Sequence, residues 1–149
     1  MKISLGSDHA GFEVKQIVEK YLIEKGHEVL DRGAFSIESV DYPDIAVLVA
    51  KDVISKEADK GILICGTGIG MSIAANKVDG IRAALCHDKN TASLSRQHND
   101  SNILAVGARI NTVESILEIV NTWISEEFLG DRHKRRVEKI MAIETAVLN

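Results

Sequence analysis

Short apolar runs alternate with longer stretches of helical periodicity along this chain. Five of the runs have the length of β-strands, and Lys60–Cys65 is apolar enough to be buried on both faces of a parallel sheet. We predict strands at Lys2–Gly6, His27–Asp31, Lys60–Cys65, Ile81–Cys86 and Asn102–Val106.

Between these strands, apolar residues recur at intervals of three and four, which predicts helices. The first begins at Phe12 and stops before Gly26, and Pro43 is well placed to open the second, which extends to about Lys56. Further helices are predicted from the glycine loop to about residue 77, at 89–97, at 112–125 and at about 132–147. The alternation predicts a single α/β domain over residues 1–149, with an open, mostly parallel sheet and helices on both faces.

Composition and charge narrow the classes of partner. The net charge of −4 argues against a nucleic acid, because a phosphate backbone usually recruits a basic surface. The apolar start of the chain turns polar by Ser7, so we expect neither a signal peptide nor a membrane partner. Two cysteines without a CxxC pair predict no disulfide framework and no zinc site, and they favour a reducing, cytoplasmic setting.

The loop Gly66–Gly70 is the first candidate for a binding site. Ligands of open parallel sheets bind outside the carboxyl ends of the strands, and this loop follows the most apolar strand. Three glycines in five residues let backbone N–H groups converge on one anion. No dinucleotide fingerprint or GxxxxGK motif is present. The alternative is a tight strand-to-helix turn without a ligand.

Cys65 is the last residue before that loop, at a position where a helix N-terminus favours the thiolate. The alternative is a buried apolar cysteine, which is the usual state of this residue. The adjacent glycine loop favours a functional interpretation of Cys65, whereas Cys86 has no such loop and is predicted to be structural.

Three further groups of polar residues could complete a site. Asp8-His9 follows the first strand and His98-Asn99 precedes the fifth, and we expect both pairs at the functional edge beside Cys65. Either pair could instead be a turn or a helix cap. Arg132 and Arg136 are four residues apart and would share one helical face, which suits a phosphate clamp, although a charge run is usually a solvated face.

These residues, in this order, resemble the ribose-5-phosphate isomerase B family, which also contains galactose-6-phosphate and allose-6-phosphate isomerases. The similarity extends from Met1 to about Ile143. Its most specific segments are Gly6–Gly11 (GSDHAG), Ser39–Asp44 (SVDYPD) and Cys65–Gly70 (CGTGIG), extended by Ser72–Lys77, His98–Asn102 and Arg132-His133.

The resemblance implies a Rossmann-like three-layer α/β/α sandwich with a five-stranded sheet. It also implies a cofactor-free and metal-free aldose–ketose isomerase of ribose 5-phosphate and ribulose 5-phosphate. The family forms homodimers, sometimes paired into tetramers, with active sites shared between subunits. The C-terminal helix, about 132–147, would then contribute to dimer contacts and to the phosphate site.

The resemblance also implies roles for individual residues. Cys65 would be the base that moves a proton between C2 and C1, through an enediolate. Asp8, Thr67 and His98 would assist ring opening, with His98 as the proton donor. The substrate-binding residues implied by position are His9, Gly66, Gly68, Ile69, Gly70, Asn99, Arg109, Arg132 and Arg136. Of these site residues, His98, Asn99 and Arg109 would reach the site from the neighbouring subunit. A branch of the family uses a glutamate on the following helix, but here that stretch reads Met71-Ser72-Ile73.

Three alternatives stay open. The substrate could be another sugar phosphate, namely galactose 6-phosphate, allose 6-phosphate or a tetrose phosphate. A non-catalytic module that binds a phosphosugar could use the same anion loop, but it would not need a thiol beside it. A thiol-dependent hydrolase is a third possibility, and it would not obviously need the arginine pair.

Overall fold

The computed structural model describes residues 1–146 and contains a five-stranded sheet with helices between its strands. The strands are β1 (Lys2–Ser7), β2 (Glu28–Asp31), β3 (Lys60–Cys65), β4 (Ala83–Leu85) and β5 (Ile103–Gly107). The helices are α1 (Phe12–Glu24), α2 (Tyr42–Ile54), α3 (Ile69–Ala75), α4 (Lys89–Asn99), α5 (Val113–Ser125) and α6 (Asp131–Ala142), followed by a 3₁₀ turn at Ile143–Thr145.

All five strands are parallel, in the order β2-β1-β3-β5-β4. After β1 the chain crosses to β2, which lies at one edge of the sheet. After β3 it crosses to β4, which lies at the opposite edge. The neighbouring pair β1 and β3 is therefore the topological switch point, where open α/β sheets bind their ligands. Asp8 and Cys65 lie at this point, at the ends of the two strands.

Each face of the sheet carries its own apolar layer. One layer joins the strands to α1, α4 and α5, with Val18, Leu22, Ile116 and Trp123 fully buried in it. The other joins the strands to α2 and α3, with Val49, Ala50, Met71 and Ala75 fully buried. The three-layer α/β/α prediction is thus confirmed, and the sheet is parallel throughout rather than mostly so.

Several predicted boundaries were wrong. Strand β4 has three residues, because Ile81 and Arg82 precede its pairing with β5. Helix α4 continues through His98 and Asn99 and ends where Asp100 adopts a left-handed conformation. The C-terminal helix ends at Ala142 in the 3₁₀ turn, and the predicted end at residue 147 lies outside the described residues.

No helix within residues 1–146 is both long and apolar enough to cross a membrane.

Candidate active site

Cys65 lies at the carboxyl end of β3, where the glycine loop turns the chain into α3. Its side chain belongs to the buried layer and is only 5% exposed. The Gly68 N–H donates to Sγ at 3.0 Å, so a backbone amide points directly at the sulfur. The sulfur is therefore a hydrogen-bond acceptor in this structure.

Two glycines of the loop are required by their surroundings. Gly68 has φ +77°, and a Cβ there would come within 2.6 Å of Leu85 Cδ1 and 2.9 Å of the Val106 carbonyl carbon. A Cβ on Gly70 would come within 2.6 Å of the Tyr42 ring. The loop therefore lies against β5 on one side and Tyr42 on the other, which fixes the directions of its amides.

Asp8 and His9 follow β1 and are held by local hydrogen bonds. Asp8 is buried, and its Oδ1 accepts from the N–H groups of Ala10 and Gly11 at 2.9 and 3.0 Å. Oδ2 has no protein partner among the described residues. His9 Nδ1 accepts from the Val40 N–H at 3.3 Å, which leaves Nε2 as the ring nitrogen that can donate to a ligand.

Arg109 follows β5 and lies across the loop of its own chain. The Arg109 N–H donates to the Gly66 carbonyl at 2.9 Å, and the guanidinium lies 3.4 Å from the position of a Cβ on Gly66. Arg109 therefore lies beside the glycine loop of its own chain, whereas the resemblance implies that it reaches the site of a neighbouring subunit. A cavity of about 470 Å³ opens here and is lined by residues that include Asp8, Tyr42, Cys65, Thr67, Gly70 and Arg109. We call these residues, with His9 and the rest of the glycine loop, the carboxyl-edge half-site.

His98 lies elsewhere, at the end of α4. Its ring stacks on that of His133 in α6, with centroids 4.1 Å apart and planes 9° from parallel. His133 is buried, and burial together with the charges of His98, Arg132 and Arg136 lowers its pKa below the usual value.

Arg132 and Arg136 are exposed on α6, as their spacing predicts. Helix α6 packs beside α4, and the Leu129 N–H just before it donates to the carbonyl of Gln97 at 3.1 Å. The two arginines thus share a corner of the molecule with His98 and Asn99. We call His98, Asn99, Arg132, His133 and Arg136 the amino-edge half-site.

The two half-sites lie at opposite edges of the sheet. Helix α4 returns from the carboxyl end of β4 to the amino end of β5, so its last residues face the edge away from Cys65. Cys65 pairs with Gly107 at the carboxyl end of β5, whereas α4 ends before Ile103 at its amino end. Strand β5, from Ile103 to Gly107, spans ~13 Å between these two points. The expectation that His98-Asn99 lies beside Cys65 in the same chain was therefore wrong.

A family model described as Ribose/Galactose Isomerase matches residues 3–140. The chain belongs to the ribose/galactose isomerase family. Among members of this family, ribose-5-phosphate isomerase B of Escherichia coli (strain K12) is 51% identical over 143 residues, which cover 96% of each chain. The resemblance that the sequence motifs indicate is thus confirmed.

Solved structures of the family superimpose closely. Ribose-5-phosphate isomerase B of Clostridium thermocellum is 53% identical with a TM-score of 0.96, and the match covers 97% of this chain and 98% of that one. The enzyme of Mycoplasma genitalium, solved with bound ribulose-5-phosphate, is 41% identical with a TM-score of 0.94, covering 98% and 97%. The predicted fold class is that of the family.

Sequence reasoning missed two residues of these half-sites. Tyr42 and His133 both lie in segments that carry the family resemblance, but nothing in their spacing assigns them a role. Tyr42 opens α2 at the carboxyl edge and contacts Gly70, and His133 lies between the two arginines on the buried side of α6. Residues 1–146 contain no cluster of three or more His, Cys, Asp or Glu that could hold a metal ion.

Proposed function

We propose that this member of the ribose/galactose isomerase family interconverts ribose 5-phosphate and ribulose 5-phosphate, with Cys65 as the base. The observation that carries the proposal is the Cys65 sulfur, which accepts the Gly68 N–H at 3.0 Å beside a cavity of about 470 Å³. The named activity of the Escherichia coli relative and the ribulose-5-phosphate in the Mycoplasma genitalium structure support the pentose phosphate as substrate.

The reaction has three physical requirements: the sugar ring must open, a weakly acidic C–H must lose its proton, and the oxyanion that develops must be stabilised. In the proposed mechanism the Cys65 thiolate removes the proton from C2 and returns it to C1. The amides of Gly66, Gly68, Ile69 and Gly70 are the proposed donors to the enediolate, and each such donor contributes about 10²–10³-fold. In this structure the Gly68 amide donates to Cys65 Sγ and the Ile69 amide to Thr67 Oγ1, so these two would have to exchange or share their partners when the enediolate forms. Asp8 Oδ2 and the Thr67 hydroxyl are the proposed partners of the sugar hydroxyls in ring opening.

The proton donor for ring opening and most of the phosphate charge compensation lie in the amino-edge half-site. One chain cannot bring His98 to its own Cys65, since a strand length separates the two edges. We therefore propose that a second copy supplies His98, Asn99, Arg132 and Arg136 to each carboxyl-edge half-site, with His9 and Arg109 contributed by the same chain as Cys65. A symmetric homodimer, alone or paired into a tetramer, would contain two such composite sites.

The composite site predicts complementation between two inactive variants. In a hybrid dimer of a Cys65→Ala chain and a His98→Ala chain, one site carries both changes and the other carries neither. We expect the hybrid to recover about half of the unmodified activity. The two chains should be co-expressed with different affinity tags, so that only hybrids survive two successive purifications. Purified hybrids that stay as inactive as each parent would contradict a shared site.

Arg132→Ala is expected to raise KM for the phosphorylated sugar by at least about tenfold, with a smaller effect on kcat. A lost charge-assisted hydrogen bond to phosphate costs ~1.5–3 kcal/mol, and the phosphate takes no part in the chemistry. Arg135→Ala is the matched control. Arg135 is also exposed on α6, but it is not among the substrate-binding residues that the family resemblance implies. Equal KM values for the two variants would return Arg132 to a solvated surface role.

The experiment that tests the function is interconversion of ribose 5-phosphate and ribulose 5-phosphate by purified protein, with and without EDTA. Turnover that EDTA does not affect would establish a pentose-phosphate isomerase independent of a removable metal. If neither sugar reacts, galactose 6-phosphate, allose 6-phosphate and tetrose phosphates should be tested next. Tight binding without turnover of any of them would support a binding module instead.

We also propose a cytoplasmic location. Cys65 and Cys86 are both unpaired and buried, and a base that acts as a thiolate must stay reduced. Loss of turnover after mild oxidation of the purified protein, with recovery on reduction, would support this requirement.

A further inference from the structure

Helix α4 ends immediately after His98 and Asn99 at a residue other than glycine. The next residue, Asp100, has φ +47°, in the left-handed region. Helices commonly end in that conformation, but the residue there is usually glycine, because a side chain costs about 1–2 kcal/mol. Lys56 and Asp131 adopt the same conformation, so the role of Asp100 is argued from its contacts rather than from its backbone.

The Asp100 carboxylate is held by two arginines. Arg96 Nη1 donates to Oδ1 at 2.8 Å and also to the Ser101 carbonyl at 2.6 Å. Arg82 Nη2 donates to Oδ2 at 3.3 Å and to the Asp100 carbonyl at 2.8 Å, while Arg82 Nε donates to the carbonyl of Asn99 at 3.2 Å. Both carboxylate oxygens and three consecutive backbone carbonyls, from Asn99 to Ser101, are thus fixed.

This corner is anchored in the core. Arg96 is only 8% exposed. The fully buried Trp123 donates its Nε1–H to Ser101 Oγ at 2.8 Å, and Ser101 Oγ is hydrogen-bonded to Ser95 Oγ at 3.0 Å. The end of α4 therefore cannot move without breaking contacts to Arg82, the residue before β4, and to Trp123 of α5.

We propose that Asp100, held by Arg82 and Arg96, is a positioning residue that fixes His98 and Asn99 in the orientation a second chain requires. The proposal rests on the composite site described under the proposed function. Asp100 is not itself proposed to contact the substrate. Its effect reaches the reaction through the two residues that precede it on α4.

Asp100→Gly separates positioning from helix capping. Glycine relieves the left-handed strain, so a pure capping role predicts unchanged or better activity. Positioning predicts that kcat falls about 10–100-fold, as expected for a misplaced catalytic group. KM should change less, because Arg132 and Arg136 lie on α6. Asp100→Asn, which keeps the size and tolerates the same backbone conformation, should show an intermediate loss if the glycine variant does not fold.

Hybrid dimers show which half-site an Asp100 variant impairs. An Asp100→Gly or Asp100→Asn chain paired with a Cys65→Ala chain should regain about half of the unmodified activity, whereas pairing with His98→Ala should give no recovery. The pair of Cys65→Ala and His98→Ala chains is the reference. If this pair recovers activity but the pair of an Asp100 variant and Cys65→Ala does not, the positioning role is overturned while the composite site stands. No recovery in the reference pair would overturn the composite site and this proposal with it.

A matched control tests the other end of the same helix. Glu118→Gln removes the exposed ion pair with Lys89, 3.1 Å long, at the first residue of α4. This change should leave kcat and KM unchanged. An equal fall of kcat in Glu118→Gln and Asp100→Asn would overturn the proposal, because any disturbance of α4 would then have the same effect.

Discussion

Replacement of Cys65 by alanine is expected to lower kcat by about 10²–10⁴-fold, the contribution of a positioned general base. The side chain is small and at the edge of the buried layer, so the protein should remain folded and should bind the sugar phosphate with a similar affinity. Steady-state kinetics with both pentose phosphates, together with a direct binding measurement, checks this expectation. A loss in kcat without a matching rise in the dissociation constant identifies a group that acts in the transition state.

Cys86→Ala is the matched control, since Cys86 is the other buried, unpaired cysteine. It lies in the layer formed by α1, α4 and α5, on the opposite face of the sheet from Cys65. We expect a modest fall in stability and an unchanged kcat. Full turnover by Cys65→Ala, or an equal loss in both variants, would remove Cys65 from the mechanism.

Gly68→Ala is expected to lower kcat about 100-fold or more and to destabilise the fold by about 2–4 kcal/mol. The added Cβ would be strained by φ +77° and would lie 2.9 Å from the Val106 carbonyl carbon of β5, so the loop must shift. The shift would move the amides of the glycine loop, including the one that donates to Cys65 Sγ, and a lost donor to the enediolate costs about 10²–10³-fold. Urea denaturation and kcat should be measured on the same preparation.

Gly26→Ala separates backbone strain from the clash. Gly26 has φ +85°, but nothing lies within 4 Å of a Cβ there, and it follows α1 away from both half-sites. We expect a cost of ~1 kcal/mol and no change in kcat. If Gly68→Ala proves as active as Gly26→Ala, the amides of the glycine loop do not stabilise the transition state.

The strands, the glycine loop and Cys65 were predictable because their signals are local. An apolar run such as Lys60–Cys65 and three closely spaced glycines report directly on a buried strand and a sharp turn. The placement of Asp8 beside Cys65 followed from one general rule about parallel sheets, and the structure places both at the switch point between β1 and β3.

The position of His98 was misjudged for a reason of connectivity. In a parallel sheet the residues that precede a strand lie at its amino end, so the end of α4 faces away from the edge that carries the glycine loop. The end of α4 was also misplaced, because Asp100 gives no local signal of the kind that a glycine provides.

Other features depend on tertiary contacts that spacing does not encode. Arg109 contacts the glycine loop of its own chain because Gly107 lies close to the backbone of Thr67. A Cβ on Gly107 would be 2.7 Å from the Thr67 carbonyl group. Tyr42 enters the cavity only because α2 packs against α3. At the C-terminus α6 gives way to a 3₁₀ turn, in which Glu144 accepts the N–H of Gly80 at 2.7 Å.

Trp123 is the only tryptophan in the sequence, and it is fully buried with its indole N–H on Ser101. The intrinsic fluorescence of the protein therefore comes almost entirely from the corner that ends α4, with the Arg96 guanidinium 5.8 Å from the ring centroid. The chain thus carries its own optical probe at this position. A change in emission under native conditions signals a change in the surroundings of Trp123, and no label is needed to observe it.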